Sequence, residues 1–282
     1  MIDNLYIIGN GFDLHHGLRT SYANFRDDYV KKKRSRLWKS LLQIYGEAPH
    51  HDQWWWNFEE MLGRIDYISL MNSNNGNGLP LGPTIVQNIL NNNIPVLFGD
   101  WVKTINDNVE PDESLRIKTN SYFFTFNYTL VLEKAYLIDT KNIWHIHESI
   151  KKPNDLVVGH DFDNSQLFMF FLDYRRKHPY VNQDIADKIN LAALNGAKNV
   201  QDRISQNEDN FYQYAGIKHF IVMGFSFNNI DMPYIEKIIS VNKNISDTDW
   251  ILYWHTDGEF SVMNDKLQKL GVNGDKIKQK KW

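Results

Sequence analysis

The chain has 282 residues, 42% hydrophobic and 14% aromatic, enough to bury a substantial core. Its 31 basic and 34 acidic residues leave a net charge of -3, so no global basic field marks it as a nucleic-acid binder. The absence of cysteine excludes disulfides, thiolate metal sites and a cysteine nucleophile. No run of about eighteen apolar residues predicts a membrane span. Asp3 and Asn4 ahead of a short apolar run do not read as a signal peptide, so a soluble cytoplasmic protein is expected.

The first predicted strand is Leu5-Tyr6-Ile7-Ile8, and it breaks at once into Gly9-Asn10-Gly11-Phe12-Asp13. Two glycines one residue apart after a buried strand allow a sharp turn. They also let a phosphate or ribose approach the main-chain N–H groups, as at the opening of a nucleotide-binding α/β fold. Leu14 occupies the place of a third glycine, so the full dinucleotide fingerprint is absent.

From about Ser21 to Asn120 no convincing strand is found. Trp55, Phe58, Leu62 and Ile65 follow helical spacing, as do Val96, Leu97, Trp101, Val102 and Ile105, with a polar glycine-bearing loop at Asn72–Gly78 between them. Residues 21–120 are therefore expected to be a helical insertion between the first and second sheet strands of a single domain, 1–282. Trp54-Trp55-Trp56 reads as core of that insertion.

Four further runs have strand character: Tyr122–Phe126, Asn142–Ile146, His219–Met223 and Trp250–Trp254; Leu156–Val158 is a fifth candidate. They are continuous rather than alternating, as strands covered on both faces should be. A second helical patch falls at roughly Phe168–Tyr214. Lys276, Lys278, Lys280 and Lys281 form a basic tail, read as a solvated end. The expected fold is a Rossmann-like parallel α/β sheet with helices on both faces.

Three polar loops follow strands, where ligands bind in open parallel sheets. Asn127 closes an aromatic strand and offers both a donor and an acceptor to a ribose or a water, or caps a helix. His145-Ile146-His147-Glu148 places both histidines on one strand face if the strand continues, and a histidine there is a good general base. No third ligand accompanies the pair, so no metal is predicted. The block Gly224 to Asp231 leads from a strand through small polar residues, including Ser226, into a helix with Pro233 in its first turn. Asp231 is the expected N-cap there. His15-His16 point apart on a helix, and Arg175-Arg176-Lys177 reads as a solvated face.

Taken together, these blocks resemble the AbiH family of bacterial phage abortive-infection proteins. The resemblance rests on Ile7–Leu14 with Gly17-Leu18, Thr20, Tyr22 and Phe25; on Trp56, Phe58 and Glu59; on Phe126–Thr129 with Leu132–Lys134; on His145–His147; and on Gly224–Tyr234. More distantly, they are similar to the sirtuin-like Rossmann domains of NAD-consuming defence effectors. That similarity implies Asn127 and His147 as catalytic residues. It implies a nucleotide site at Gly9, Asn10, Gly11, Phe12, Asp13, Gly224, Ser226 and Asp231, with NAD as substrate, cleaved at the nicotinamide–ribose bond. Glu148 stands where the related pattern has glycine. The alternative reading is a non-catalytic nucleotide-sensing or nucleic-acid-targeting defence protein. A nucleotide ligand, a phage-derived trigger and a second copy of the chain are the partners these readings allow.

Overall fold

The computed structural model describes residues 2–64, 94–160 and 195–282, with positions 169, 172, 173, 176, 177 and 191. The Asn72–Gly78 loop, Ile65, Arg175 and much of the first part of the expected helical patch at 168–214 lie outside the described residues. The chain forms two compact units. One comprises residues 1–20, 105–152 and 199–282, the other 21–104 and 153–198.

The first unit is a six-stranded, all-parallel sheet of β1 (Asn4–Ile8), β2 (Tyr122–Thr125), β3 (Ile143–His145), β4 (His219–Met223), β5 (Asp249–Trp254) and β6 (Ile277–Lys281). Their spatial order is β3-β2-β1-β4-β5-β6. This is the doubly wound Rossmann-like order, in which the direction of winding reverses between β1 and β4. The helices of this unit are α1 (Asn10–His15), α2 (Val131–Lys134), α3 (Val200–Gln206), α4 (Glu208–Tyr212), α5 (Met232–Val241) and α6 (Asp257–Lys269).

Alternation along each strand divides the apolar residues between two cores. Leu5, Ile7, Phe124, Phe220, Val222, Trp250 and Leu252 face a core that includes Ile204, Phe211, Ile235, Ile238 and Leu267. Tyr6, Ile8, Phe123, Ile221, Met223 and Tyr253 face the other, with Phe12, Val131 and Leu132. Both faces being covered is the reason these strands read as continuous apolar runs. Aromatic stacking tightens both layers: Phe220 and Trp250 lie 4.2 Å apart and nearly parallel, and Tyr6 and Phe123 lie 4.9 Å apart.

Two strand expectations are corrected. Leu156–Val158 forms no strand; only His160 makes an isolated bridge, to Ala197. The lysine-rich tail is not merely a solvated end, because Ile277–Lys281 pairs with β5 as the sheet's edge strand. Its exposed lysines suit an edge that must not recruit another strand.

The second unit is helical wherever its elements are described, apart from the bridge at His160 and Ala197. Its elements include the unbroken succession Tyr22–Asn24, Phe25–Val30 and Lys31–Lys33, then Ser35–Tyr45, Asp52–Trp56, Phe58–Leu62 and Ile94–Val102. The turn at Phe25–Val30 is π-helical. Phe25, Trp55, Phe58, Phe98 and Trp101 form its aromatic core. Trp54 and Trp55 are buried as expected, but Trp56 is 71% exposed and departs from that expectation. The two stretches of this unit are joined by a buried ion pair in which Lys198 Nζ stands 3.2 Å from both carboxylate oxygens of Glu59.

Candidate functional site

The parallel register brings the carboxyl ends of four strands to one rim. Ile8 pairs with Thr125 and Met223, and Thr125 with His145. The residues that follow, Gly9, Phe126-Asn127, Ile146-His147 and Gly224, therefore meet beyond the point where the winding reverses.

The glycines act first on one another. Gly9 N–H donates to Met223 O at 3.0 Å and Gly11 N–H to Gly224 O at 2.9 Å. A Cβ on Gly9 would stand 2.6 Å from Gly224 O and from Phe225 Cα, so the β1–α1 turn lies directly on the backbone after β4. These two N–H groups are committed to the end of β4 and to the loop after it, which corrects the expectation that they face a phosphate. Asn10, exposed at the start of α1, is the outward position of the turn.

Beneath the turn, Phe12 is fully buried and Asp13 is 1% exposed. Asp13 accepts hydrogen bonds from Asn127 Nδ2 at 2.9 Å and from the Thr129 hydroxyl at 2.7 Å. Burial pushes the Asp13 carboxyl up to about 7, against these two donors. Asp13 thus fixes which way the Asn127 amide points: with Nδ2 committed, Oδ1 is the acceptor left to the site. Asn127 is further held by its own N–H, which donates to Thr125 Oγ1 at 3.1 Å. The sequence flagged Asn127 and Asp13 but missed Thr129; its i+2 spacing from Asn127 was the available signal.

The two histidines do not share a strand face. β3 ends at His145, and a tight turn follows in which Glu148 N–H donates to His145 O at 3.2 Å. Glu148 takes φ +62°, a conformation that favours glycine. The turn sends the imidazoles to different partners. His145 Nδ1 stands 2.8 Å from Asn127 O, and its Nε2 faces Glu133 Oε1 at 3.4 Å. Burial pushes the Glu133 carboxyl up, but His145 and Lys151 outweigh it and hold the group below its ordinary value. His147, 3% exposed, has Nε2 3.3 Å from Asp231 Oδ1, within ion-pair reach. Its ring is walled by Phe126, Tyr128 and Tyr234 at centroid distances of 5.4, 6.3 and 5.8 Å.

Asp231 occupies the N-cap position of α5, but its side chain makes no cap hydrogen bond. Asn228 supplies the local fixation: its Oδ1 accepts from Asp231 N–H at 3.1 Å, and its carbonyl accepts from Met232 N–H at 3.2 Å. The expected cap is therefore a carboxylate turned to His147. Ser226, on the same loop, is exposed. His15 and His16 do not point apart as expected: their rings meet edge to face at 5.5 Å, with His15 at 2.8 Å from Asp112 and His16 at 2.7 Å from the Tyr136 hydroxyl.

Glu148 gives the first testable consequence. Its carboxylate lies 3.3 Å from Lys152 Nζ on a largely exposed side. Glu148→Gly should raise stability in urea unfolding by about 1 kcal/mol, because a left-handed backbone costs a non-glycine residue roughly that much. A measurable loss of stability would mean that the Lys152 contact outweighs the strain.

Asp13 gives the second. Its folded pKa, about 7, lies above the ordinary aspartate value of 3.8, so between those values the folded protein holds a proton that the unfolded chain has released. Stability should therefore fall as pH rises from about 4 to about 7 and level off above, by an amount on the order of 4 kcal/mol from this group. Asp13→Asn keeps the shape without the charge and should flatten that segment of the stability–pH curve. Identical curves for the two proteins would refute the assignment.

An all-parallel sheet in this order, with a buried polar cluster at the rim where its winding reverses, defines a Rossmann-like α/β protein. The chain matches the family of bacteriophage abortive infection AbiH over residues 5–85 and 84–254, and it belongs to that family. The rim residues Gly9 to Asp13, Asn127, His147 and Gly224 to Asp231 all fall inside the matched regions. No curated protein and no solved structure matches the chain. The family assigns it a role in phage abortive infection.

Proposed function

We propose that this abortive-infection protein hydrolyses NAD at its nicotinamide–ribose bond, with Asn127 and His147 as the catalytic residues. The observation that carries the reading is the placement of His147 Nε2 3.3 Å from Asp231, beside an Asn127 amide oriented by Asp13, at the crossover rim of the sheet. Asp231, within ion-pair reach of His147 Nε2, stabilises the protonated imidazole, so that His147 acts as the base. Asn127 Oδ1 positions the ribose or the attacking water. The oxygen of that water bonds to the anomeric carbon as nicotinamide leaves with the electrons of the broken bond. The water's proton passes to His147 and then to solvent, giving ADP-ribose and free nicotinamide. The transition state is a sugar cation, which the buried Asp231 and Asp13 carboxylates favour when ionised. Asn10, Gly11, Gly224 and Ser226 would border the dinucleotide, while Phe12, buried in the core, supports the turn from beneath. Loss of NAD would halt an infected cell, in keeping with abortive infection.

The experiment is chromatographic measurement of nicotinamide released from NAD by the purified chain, with and without phage lysate. Stoichiometric release well above the rate in buffer supports the reading; none under either condition refutes it. A second reading is favoured by the mutual hydrogen bonding of Asp13, Asn127 and Thr129: a rigid nucleotide sensor that binds without turnover. Calorimetric binding of NAD without nicotinamide release would select it.

A further inference from the structure

Between Tyr29 and Lys39 the chain carries six cations, Lys31, Lys32, Lys33, Arg34, Arg36 and Lys39, and no acidic residue. In a protein of net charge -3 this is a local reversal of sign. All six side chains are exposed, at the end of one helical run and the start of the helix Ser35–Tyr45. Asp27 and Asp28 partly offset only the first two, with Lys31 Nζ 3.4 Å from Asp27 and Lys32 Nζ 3.0 Å from Asp28. Among the described residues, no carboxylate pairs with Lys33, Arg34, Arg36 or Lys39. A solvated face of mixed charge is the ordinary fate of helix surface, and from Lys33 to Lys39 the charge is of one sign.

The cations are also laid out on aromatic supports. Lys31 Nζ stands 4.9 Å from the Trp38 ring centroid. Lys33 Nζ and Arg34 Cζ stand 5.8 and 5.3 Å from the Tyr29 ring, and an Arg34 guanidinium N–H donates to the Tyr29 hydroxyl at 3.1 Å. Tyr29 is itself buried, 4% exposed, so it is a fixed platform. Long basic side chains held this way lose less freedom when they meet an anion. A row of like charges, partly pre-arranged and facing outward, fits an extended polyanion rather than one small ligand.

We propose that this face binds the sugar–phosphate backbone of nucleic acid, without sequence preference. It uses no residue of the rim cluster and does not rest on NAD cleavage. In an abortive-infection protein it would supply contact with the nucleic acid of the invading phage. Nothing in the segment reads base edges; lysine and arginine contacts to phosphates position a protein but carry no sequence information.

The test uses the full chain and fluorescence anisotropy with a labelled DNA duplex of about 25 base pairs and its single strand. Binding is expected to weaken about 100-fold between 50 and 200 mM salt if roughly four phosphates are contacted. The variant Lys33→Glu/Arg34→Glu/Arg36→Glu should bind at least about tenfold more weakly at unchanged circular dichroism and melting temperature. A charge-matched control, Lys243→Glu/Lys269→Glu/Lys278→Glu, alters three exposed lysines of the sheet unit and should retain most of the binding. Three results would overturn the proposal: no salt-dependent binding by the wild type, equal losses in the two variants, or binding only to phosphatidylcholine vesicles containing about a quarter phosphatidylserine. Should the first variant fold poorly, Lys33→Gln/Arg36→Gln provides the milder comparison, with a shallower salt slope expected.

Discussion

His147→Ala and Asn127→Ala should each lower nicotinamide release from NAD by about 100- to 10,000-fold, the usual consequence of losing a general base or its equivalent. The fold should persist at reduced stability, because His147 packs on Phe126 and Tyr234 of the core and Asn127 donates to the buried Asp13, so activity is compared on protein shown to be folded. Asp231 is the informative partner. Its carboxylate is 3.3 Å from His147 Nε2 and makes no helix-cap hydrogen bond, so Asp231→Asn should act through the imidazole rather than through α5. The expected result is a reduced turnover with a shifted pH profile and a nearly unchanged melting temperature. His145→Ala should cost less activity, since His145 is engaged by Asn127 O and Glu133 and does not share the face of His147. Equal activity in wild type and His147→Ala, with NAD still cleaved, would remove His147 from the chemistry.

How much of this arrangement the sequence displayed depends on which forces are local. β1, β2, β4 and β5 were legible because burial on both faces leaves unbroken apolar runs that no helix period explains. β6 was not, because an edge strand carries its lysines outward and resembles a solvated tail. Leu156–Val158 misled for the converse reason: three apolar residues before a glycine imitate a strand. In the structure that glycine instead approaches the backbone of the Gly196–Lys198 segment, as the clash positions of a Gly159 Cβ show. The candidate loops were legible one by one, since each follows a strand. Their pairings were not. The hydrogen bond from Asn127 to Asp13 spans 114 residues, and no local pattern announces it. The separation of His145 from His147 depends on a turn with Glu148 in a left-handed conformation, which a glycine would have signalled and a glutamate conceals.

The largest stability effect expected among the described residues is at Gly224. Its φ is +68°, and a Cβ there would stand 2.1 Å from Phe12 N and 2.5 Å from Gly11 C. Both atoms are backbone, so no side-chain rotation relieves the contact. Gly224→Ala must push the β1–α1 turn away from the end of β4. That displacement breaks the Gly11-to-Gly224 hydrogen bond, loosens the fully buried Phe12 and shifts Asp13 from Asn127 and Thr129. The left-handed strain of about 1–2 kcal/mol, a lost buried hydrogen bond of about 1–3 kcal/mol and the packing loss together give about 3–5 kcal/mol. Such a loss is a large fraction of the stability of an ordinary domain, so poor expression or a much lower urea midpoint is expected. Gly17 supplies the control. Its φ is +77°, yet nothing lies within 4 Å of a Cβ built on it. Gly17→Ala should therefore cost only the conformational part, about 1 kcal/mol. Comparable unfolding midpoints for the two variants would show that the close approach of the two loops does not hold the rim together, and that positive φ alone explains the glycines.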